Sequence, residues 1–175
     1  MATALNGWPV LKPGSTLLKT GTVPGTKVSL TCHKVVLPLM LAVAYDYADW
    51  IRPLRANCTG GYAYRQSNGS TGWSCHAAGA AIDVNWLYEG AAKASSRVFW
   101  RDVSNHRAME QILEVYDVLE WGGFWSPSYY DPMHLQISQK ANAARVAKQV
   151  AFLGIDAKGV RHNNWDGKKL AVPRG

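Results

Sequence analysis

A chain of 175 residues, 47 % hydrophobic and 18 % charged, suits one globular domain with a proper core and excludes both a disordered polymer and two full-sized domains. Its net charge of +7 is uneven: residues 1–36 hold four lysines and no acid, residues 37–139 seven basic against ten acidic groups, and residues 140–175 eight against two. Basic ends around a mildly acidic centre suit attraction to a polyanion, either nucleic acid or an anionic wall polymer, or simply a solubilising surface.

The first ten residues, MATALNGWPV, offer neither a basic n-region nor an apolar h-region. The expectation is a chain made in the cytoplasm without a signal peptide, which needs another route out if it acts elsewhere. Residues 6–34 are rich in Gly, Pro and Thr and read as loops and edge strands. Pro38 suits a first helical turn, and PLMLAVAYDYADWI reads as a buried helix ending before Pro53. The apolar run Val35 to Tyr45 within it falls short of the roughly 20 residues that span a bilayer. Gly60–Arg65 reads as a strand entering the polar loop QSNGSTG, and AIDVNW as a second strand.

Ser104 is the expected N-cap of a helix whose apolar face carries Met109, Ile112, Leu113 and Tyr116. EWGGFW breaks that periodicity. MHLQIS alternates Met133, Leu135 and Ile137 against His134, Gln136 and Ser138, the pattern of a half-buried strand. QKANAARVAKQVAFLG closes as an amphipathic helix stopped by Gly154. Cys32, Cys58 and Cys75 are odd in number and lack C-x-x-C spacing, so reduced, mostly buried thiols are expected. Segregated helices and short non-adjacent strands predict an α+β domain over residues 1–175, with a loop and edge-strand part at 1–35 and a basic tail at 155–175.

Two segments carry candidate chemistry. In SCHAAGAAID, His76 precedes Asp83 across small or apolar residues. A helix would put both on one face, but Gly79 and the β-branched Ile82 and Val84 favour a loop holding His76 that runs into a strand ending near Asp83. A lone histidine is more often a hydrogen-bonded structural residue than a ligand. In YYDPMHLQI, Pro132 keeps Asp131 out of a helix, and His134 lies on the polar face of the strand that follows. Two His and one Asp make the donor composition of a catalytic zinc site with a fourth position left to water, whereas structural sites close with four ligands and favour cysteine. Asp131, three residues before His134, can accept a proton from an attacking water and return it to a leaving amine; taken alone it is as well read as an Asp-Pro turn residue. Arg65 suits a substrate carboxylate or an oxyanion, or an ordinary surface ion pair. Ser74 can hydrogen-bond near the site but is poorly placed as a nucleophile. No H-E-x-x-H occurs, which excludes the thermolysin-like arrangement.

Ser74-x-His76-x-x-Gly79-x-Ala81-x-Asp83 resembles the S-x-H-x-x-G-x-A-x-D signature of the LAS or M15 zinc peptidases, the D-alanyl-D-alanine carboxypeptidase and L-alanyl-D-glutamate peptidase group. Asp131-x-x-His134 resembles that group's acid-then-ligand pair. EWGG resembles the W-G-G segment of its phage endopeptidases, GYAYR the region supplying an arginine near the substrate, and NGWPV the opening of related phage lysins. The resemblance covers roughly Gly60 to Ile137, in order. It implies zinc held by His76, Asp83 and His134, Asp131 as general base then acid, and Arg65, Ser74 and Trp121 against the substrate. It implies a Hedgehog-like/D,D-peptidase α+β fold whose small antiparallel sheet carries the ligands, and peptidoglycan stem peptides as substrate. The group's D,D-carboxypeptidases usually carry Glu where this chain has Asp131; the shorter acid points to the phage L-alanyl-D-glutamate endopeptidases. Cys75, where a polar residue is common, has no evident role. The implied protein is a monomeric endolysin acting on the wall after release, meeting anionic wall polymers through its basic ends, without nucleic acid or membrane insertion. The rival readings are a zinc-bearing wall-binding module without turnover and a nucleic-acid-binding protein suggested by charge alone.

Overall fold

The computed structural model describes residues 2–89 and 94–162; most of the basic tail expected at 155–175 therefore lies outside the described residues. The Thr- and Gly-rich start folds as an antiparallel hairpin of β1 (Leu18–Thr22) and β2 (Ser29–His33), with Leu18 opposite His33 and Thr22 opposite Ser29. Its inner face packs on α1 (Leu37–Trp50), where Pro38 occupies the first turn. Gly21 permits that approach, since a Cβ there would stand 2.8 Å from Leu41 Cδ1. Helix α1 buries Leu39, Met40, Leu41 and Val43 completely. Its one buried acid, Asp46, accepts hydrogen bonds from Tyr116 Oη at 2.7 Å and the Arg161 guanidinium at 3.0 Å, so the charge is paired as burial requires.

A second sheet carries the polar motifs. Strands β3 (Ala81–Asp83), β4 (Leu119–Trp121) and β5 (His134–Ile137) run in the order β3-β5-β4, antiparallel throughout. Asp83 lies directly opposite His134, and Gln136 sits between Ala81 and Glu120. Because residues directly opposite across a ladder share a face, and so do residues two apart along a strand, one face of this sheet presents Asp83, His134, Gln136 and Glu120 together. Helices α2 (Trp86–Glu89), α3 (Ala94–Arg101), α4 (Val103–Val115) and α5 (Ala143–Phe152) complete an α+β architecture. One buried apolar cluster runs from Ala4 to Ile155. Among the described residues no helix is long and apolar enough to cross a membrane, and all three cysteines are free and buried.

Three expectations are corrected. Gly60–Arg65 forms no strand: its backbone is shared out, Gly60 bridging Asp83, Tyr62 N–H donating to Thr31 and Ala63 N–H to His76, so no continuous ladder can form. The cap of α4 is Asp102, whose carboxylate accepts from Ser104 N–H at 2.9 Å; Ser104 is already inside the helix. Strand β5 is buried at every position rather than half-buried, because it is the central strand and its polar face turns into the site instead of open water.

Just beyond Asp83, Asn85 holds a left-handed backbone, φ +48°. Its Oδ1 accepts from Arg55 N–H at 2.8 Å and from the Thr59 hydroxyl at 3.4 Å, and its Nδ2 donates to Pro53 O at 3.2 Å. Asn85→Ala should destabilise the fold by about 3 kcal/mol, combining the backbone conformation with orphaned buried partners. Asn85→Gly should cost about half as much, since glycine keeps the conformation; urea unfolding of both variants separates the two contributions.

Candidate metal centre

Ser74 begins the site. Its hydroxyl accepts from His76 N–H at 3.3 Å and caps a 3-10 turn, Cys75–Ala78, which Gly79 ends at φ +64°. The glycine is required twice over: that φ disfavours side chains, and a Cβ would stand 2.4 Å from His33 N. The tight turn delivers His76, and β3 follows at once with Asp83 at its end.

His76 Nε2, Asp83 Oδ1 and His134 Nδ1 form a triangle with sides of 3.1, 2.9 and 3.2 Å. Both imidazoles are buried and Asp83 is nearly so. The remaining nitrogen of each ring is committed outward. His76 Nδ1 lies 2.7 Å from the Gly61 carbonyl and His134 Nε2 lies 3.0 Å from Gln136 Oε1. Since carbonyl-type oxygens only accept, each outer nitrogen is the protonated one. Three lone-pair atoms therefore converge, an arrangement that repels itself unless a cation lies among them.

The donors fit zinc. Two nitrogens and a carboxylate oxygen, each about 2.0–2.2 Å from one ion at tetrahedral angles, would stand roughly 3.3–3.5 Å apart, close to the triangle observed, with a fourth position open. Without an ion, a proton on an imidazole answers the same need. Burial opposes charge on His134, but the Asp83 carboxylate outweighs it and holds the imidazole above its ordinary pKa. Burial likewise opposes charge on Asp83, and the two histidines overcome it, keeping that carboxyl well below the usual range.

Asp131 stands beside this group without belonging to the triangle. Its Oδ1 is buried with no hydrogen-bond partner among the described residues. Burial pushes its carboxyl above the ordinary value, with His134 pulling down and Asp83 adding to the rise. Its backbone is pinned by Asp131 N–H to Gly122 O at 3.0 Å, and its carbonyl accepts from His134 N–H at 3.0 Å. Arg65 is exposed, and its positive charge reaches Asp131.

Two expected substrate contacts change role. Trp121 is 1 % exposed, its indole N–H donates to Pro132 O at 2.8 Å, and its ring packs on Trp100, His106 and Phe124. It braces the loop beneath the site and offers no surface to a substrate. Ser74, 6 % exposed, spends its hydroxyl on the cap that holds His76. An aromatic wall comes instead from Trp125, half-buried with its ring 5.4 Å from that of His134. Burial pushes the Cys75 thiol up to about 11, and its sulfur is not among the converging donor atoms of His76, Asp83 and His134.

Sequence reasoning missed Trp125, Gly61 and the pair Gln136 and Glu120. The signal for Gln136 is its place two residues after His134 on a strand, which puts both on one face. Neither a curated protein nor a solved structure matches the chain. Residues 68–137, a stretch that includes all three ligand candidates and Asp131, match the M15 peptidase family model described as D-alanyl-D-alanine carboxypeptidase.

Proposed function

We propose that the protein is a zinc-dependent peptidoglycan hydrolase, an endolysin that cuts the L-alanyl-D-glutamate bond of the stem peptide. The observation that carries the reading is the convergence of His76, Asp83 and His134 within 3.2 Å, with an unpaired Asp131 oxygen beside them. The family match supports a peptidase of peptidoglycan; the shorter acid at position 131 favours the endopeptidase over the carboxypeptidase named by the family model.

Zinc, when bound by the three residues, supplies Lewis-acid polarisation of a water and of the scissile carbonyl. The chain does the rest. His76 and His134 keep lone pairs inward because Gly61 and Gln136 hold their outer protons. Asp131 takes the proton of the attacking water and delivers it to the departing amine. Its Oδ1 suits that work, since no hydrogen-bond partner among the described residues competes for it. Arg65 binds an anionic group of the substrate or the developing oxyanion. Trp125, its ring 5.4 Å from that of His134, meets the substrate beside the metal ligands. Peptidoglycan is the partner, and exposed lysines such as Lys12, Lys19 and Lys27 favour a wall rich in anionic polymers. The protein acts as a monomer on the wall after release from the cytoplasm.

Metal analysis should find about one zinc per chain. A chelator should abolish wall hydrolysis and added zinc should restore it. Mass spectrometry of digested peptidoglycan should show peptides with a new N-terminal D-glutamate. Release of free D-alanine instead would assign the carboxypeptidase reaction, and intact wall with zinc bound would leave a binding module.

A further inference from the structure

The sheet face that carries His134 continues beyond it. Gln136 Oε1 accepts from His134 Nε2–H at 3.0 Å, and Gln136 Nε2 donates to Glu120 Oε2 at 3.2 Å. The other Glu120 oxygen accepts from the Ser138 hydroxyl at 2.6 Å, whose oxygen in turn accepts from Lys140 N–H at 3.2 Å. Gln136 is 6 % exposed and Ser138 8 %.

The direction of this chain is decided at Glu120. A carboxylate only accepts, so the Gln136 NH2 must face it. The amide oxygen is then forced toward His134, and an amide oxygen facing Nε2 requires the proton to sit there. Nδ1 is left as a lone pair aimed at Asp83. The β4-β5 register makes the arrangement possible, because Glu120 lies directly across from Gln136 and shares its face.

We propose that Gln136 and Glu120 are positioning residues that fix the tautomer and ring orientation of His134, so that the site is preset to receive a metal ion through Nδ1. This rests on the zinc reading above and extends it. Neither residue touches the ion or the substrate; Glu120 acts through Gln136, and Gln136 through His134. A glutamine alone could turn its amide over and offer an NH2 to the ring. Glu120 removes that alternative, which explains an acid at this place on a strand otherwise closed over by the fold. Outer partners of this kind typically change metal affinity 10–100-fold.

The test compares Gln136→Leu, Glu120→Gln and the exchange E120Q/Q136E with the parent, using zinc competition against a chromogenic chelator. Histidine 15N shifts of the metal-free proteins report the tautomer, and circular dichroism the fold. The parent should bind zinc and show His134 protonated at Nε2 when neutral. Gln136→Leu should bind zinc about 10–100-fold more weakly and show a tautomer mixture, and Glu120→Gln should move both readouts in the same direction. The exchange restores the polarity: a carboxylate at position 136 would accept from His134, while an amide at position 120 would donate to that carboxylate and accept from Ser138. It should recover most of the affinity and the Nε2 tautomer, which a merely structural role would not do. A parent that binds zinc alongside a folded Gln136→Leu of equal affinity and unchanged tautomer would overturn the relay while leaving the metal centre standing. So would an exchange no better than either single variant. A parent that binds no zinc would overturn both.

Discussion

Asp131→Asn should leave zinc bound with near-parental affinity while wall hydrolysis falls by roughly 10²–10⁴-fold, the usual contribution of a positioned general base and acid. His134→Ala should lose both. The two differ because of where the atoms lie. His134 Nδ1 is a corner of the 2.9–3.2 Å triangle, and its removal leaves two donors, too few to hold an ion that expects three. Asp131 contributes no atom to that triangle. Its buried Oδ1 has no partner among the described residues, so an amide of the same shape keeps the backbone bonds to Gly122 and His134 and removes the carboxylate's charge and its ability to take a proton. Zinc titration and turbidity loss of a wall suspension, measured on both variants, check this. Asp131→Asn with parental hydrolysis would remove Asp131 from the proton pathway.

The contrast also shows what the sequence could reveal. His76, Asp83 and His134 are legible because their chemistry is rare in apolar surroundings and two motifs supply complementary halves of a donor set. The turn at His76 is readable from Gly79 and the β-branched residues after it. What brings the halves together, Asp83 directly opposite His134, is a pairing across fifty residues that local pattern does not encode. The same limit explains the absent strand at Gly60–Arg65. Its alternation reads as a strand, but only the fold reveals that its hydrogen bonds go to several different elements. MHLQIS shows its period correctly, and its burial depends on neighbours that sequence does not name. Trp121 illustrates the converse error: an aromatic in a motif near the ligands reads as a substrate contact, when the indole's depth and its bond to Pro132 make it a brace.

That brace gives meaning to the two glycines after it. A Cβ on Gly122 would lie 2.2 Å from Asp131 O and 3.2 Å from Asp131 Cβ, and one on Gly123 would enter the Trp121 ring. The chain turns back at Gly122 so closely that the backbone of Asp131 fills the place of a side chain, with Asp131 N–H donating to Gly122 O at 3.0 Å. Gly122→Ala should therefore push the Asp131 segment outward. Relief by backbone movement should cost about 1–3 kcal/mol of stability, as overpacking does. The larger effect falls on chemistry, because a displacement on the order of 1 Å at a positioned group can lower turnover about 10²-fold. Zinc affinity should change far less, since His76 and Asp83 lie on the Cys75–Ala78 turn and on β3 and His134 is held from its other side by Gln136. Kinetics on wall fragments, zinc titration and thermal unfolding of Gly122→Ala together test this. Equal losses in zinc affinity and turnover would mean that the turn supports the metal ligands, whereas loss of turnover with zinc retained would make the W-G-G segment the support of Asp131.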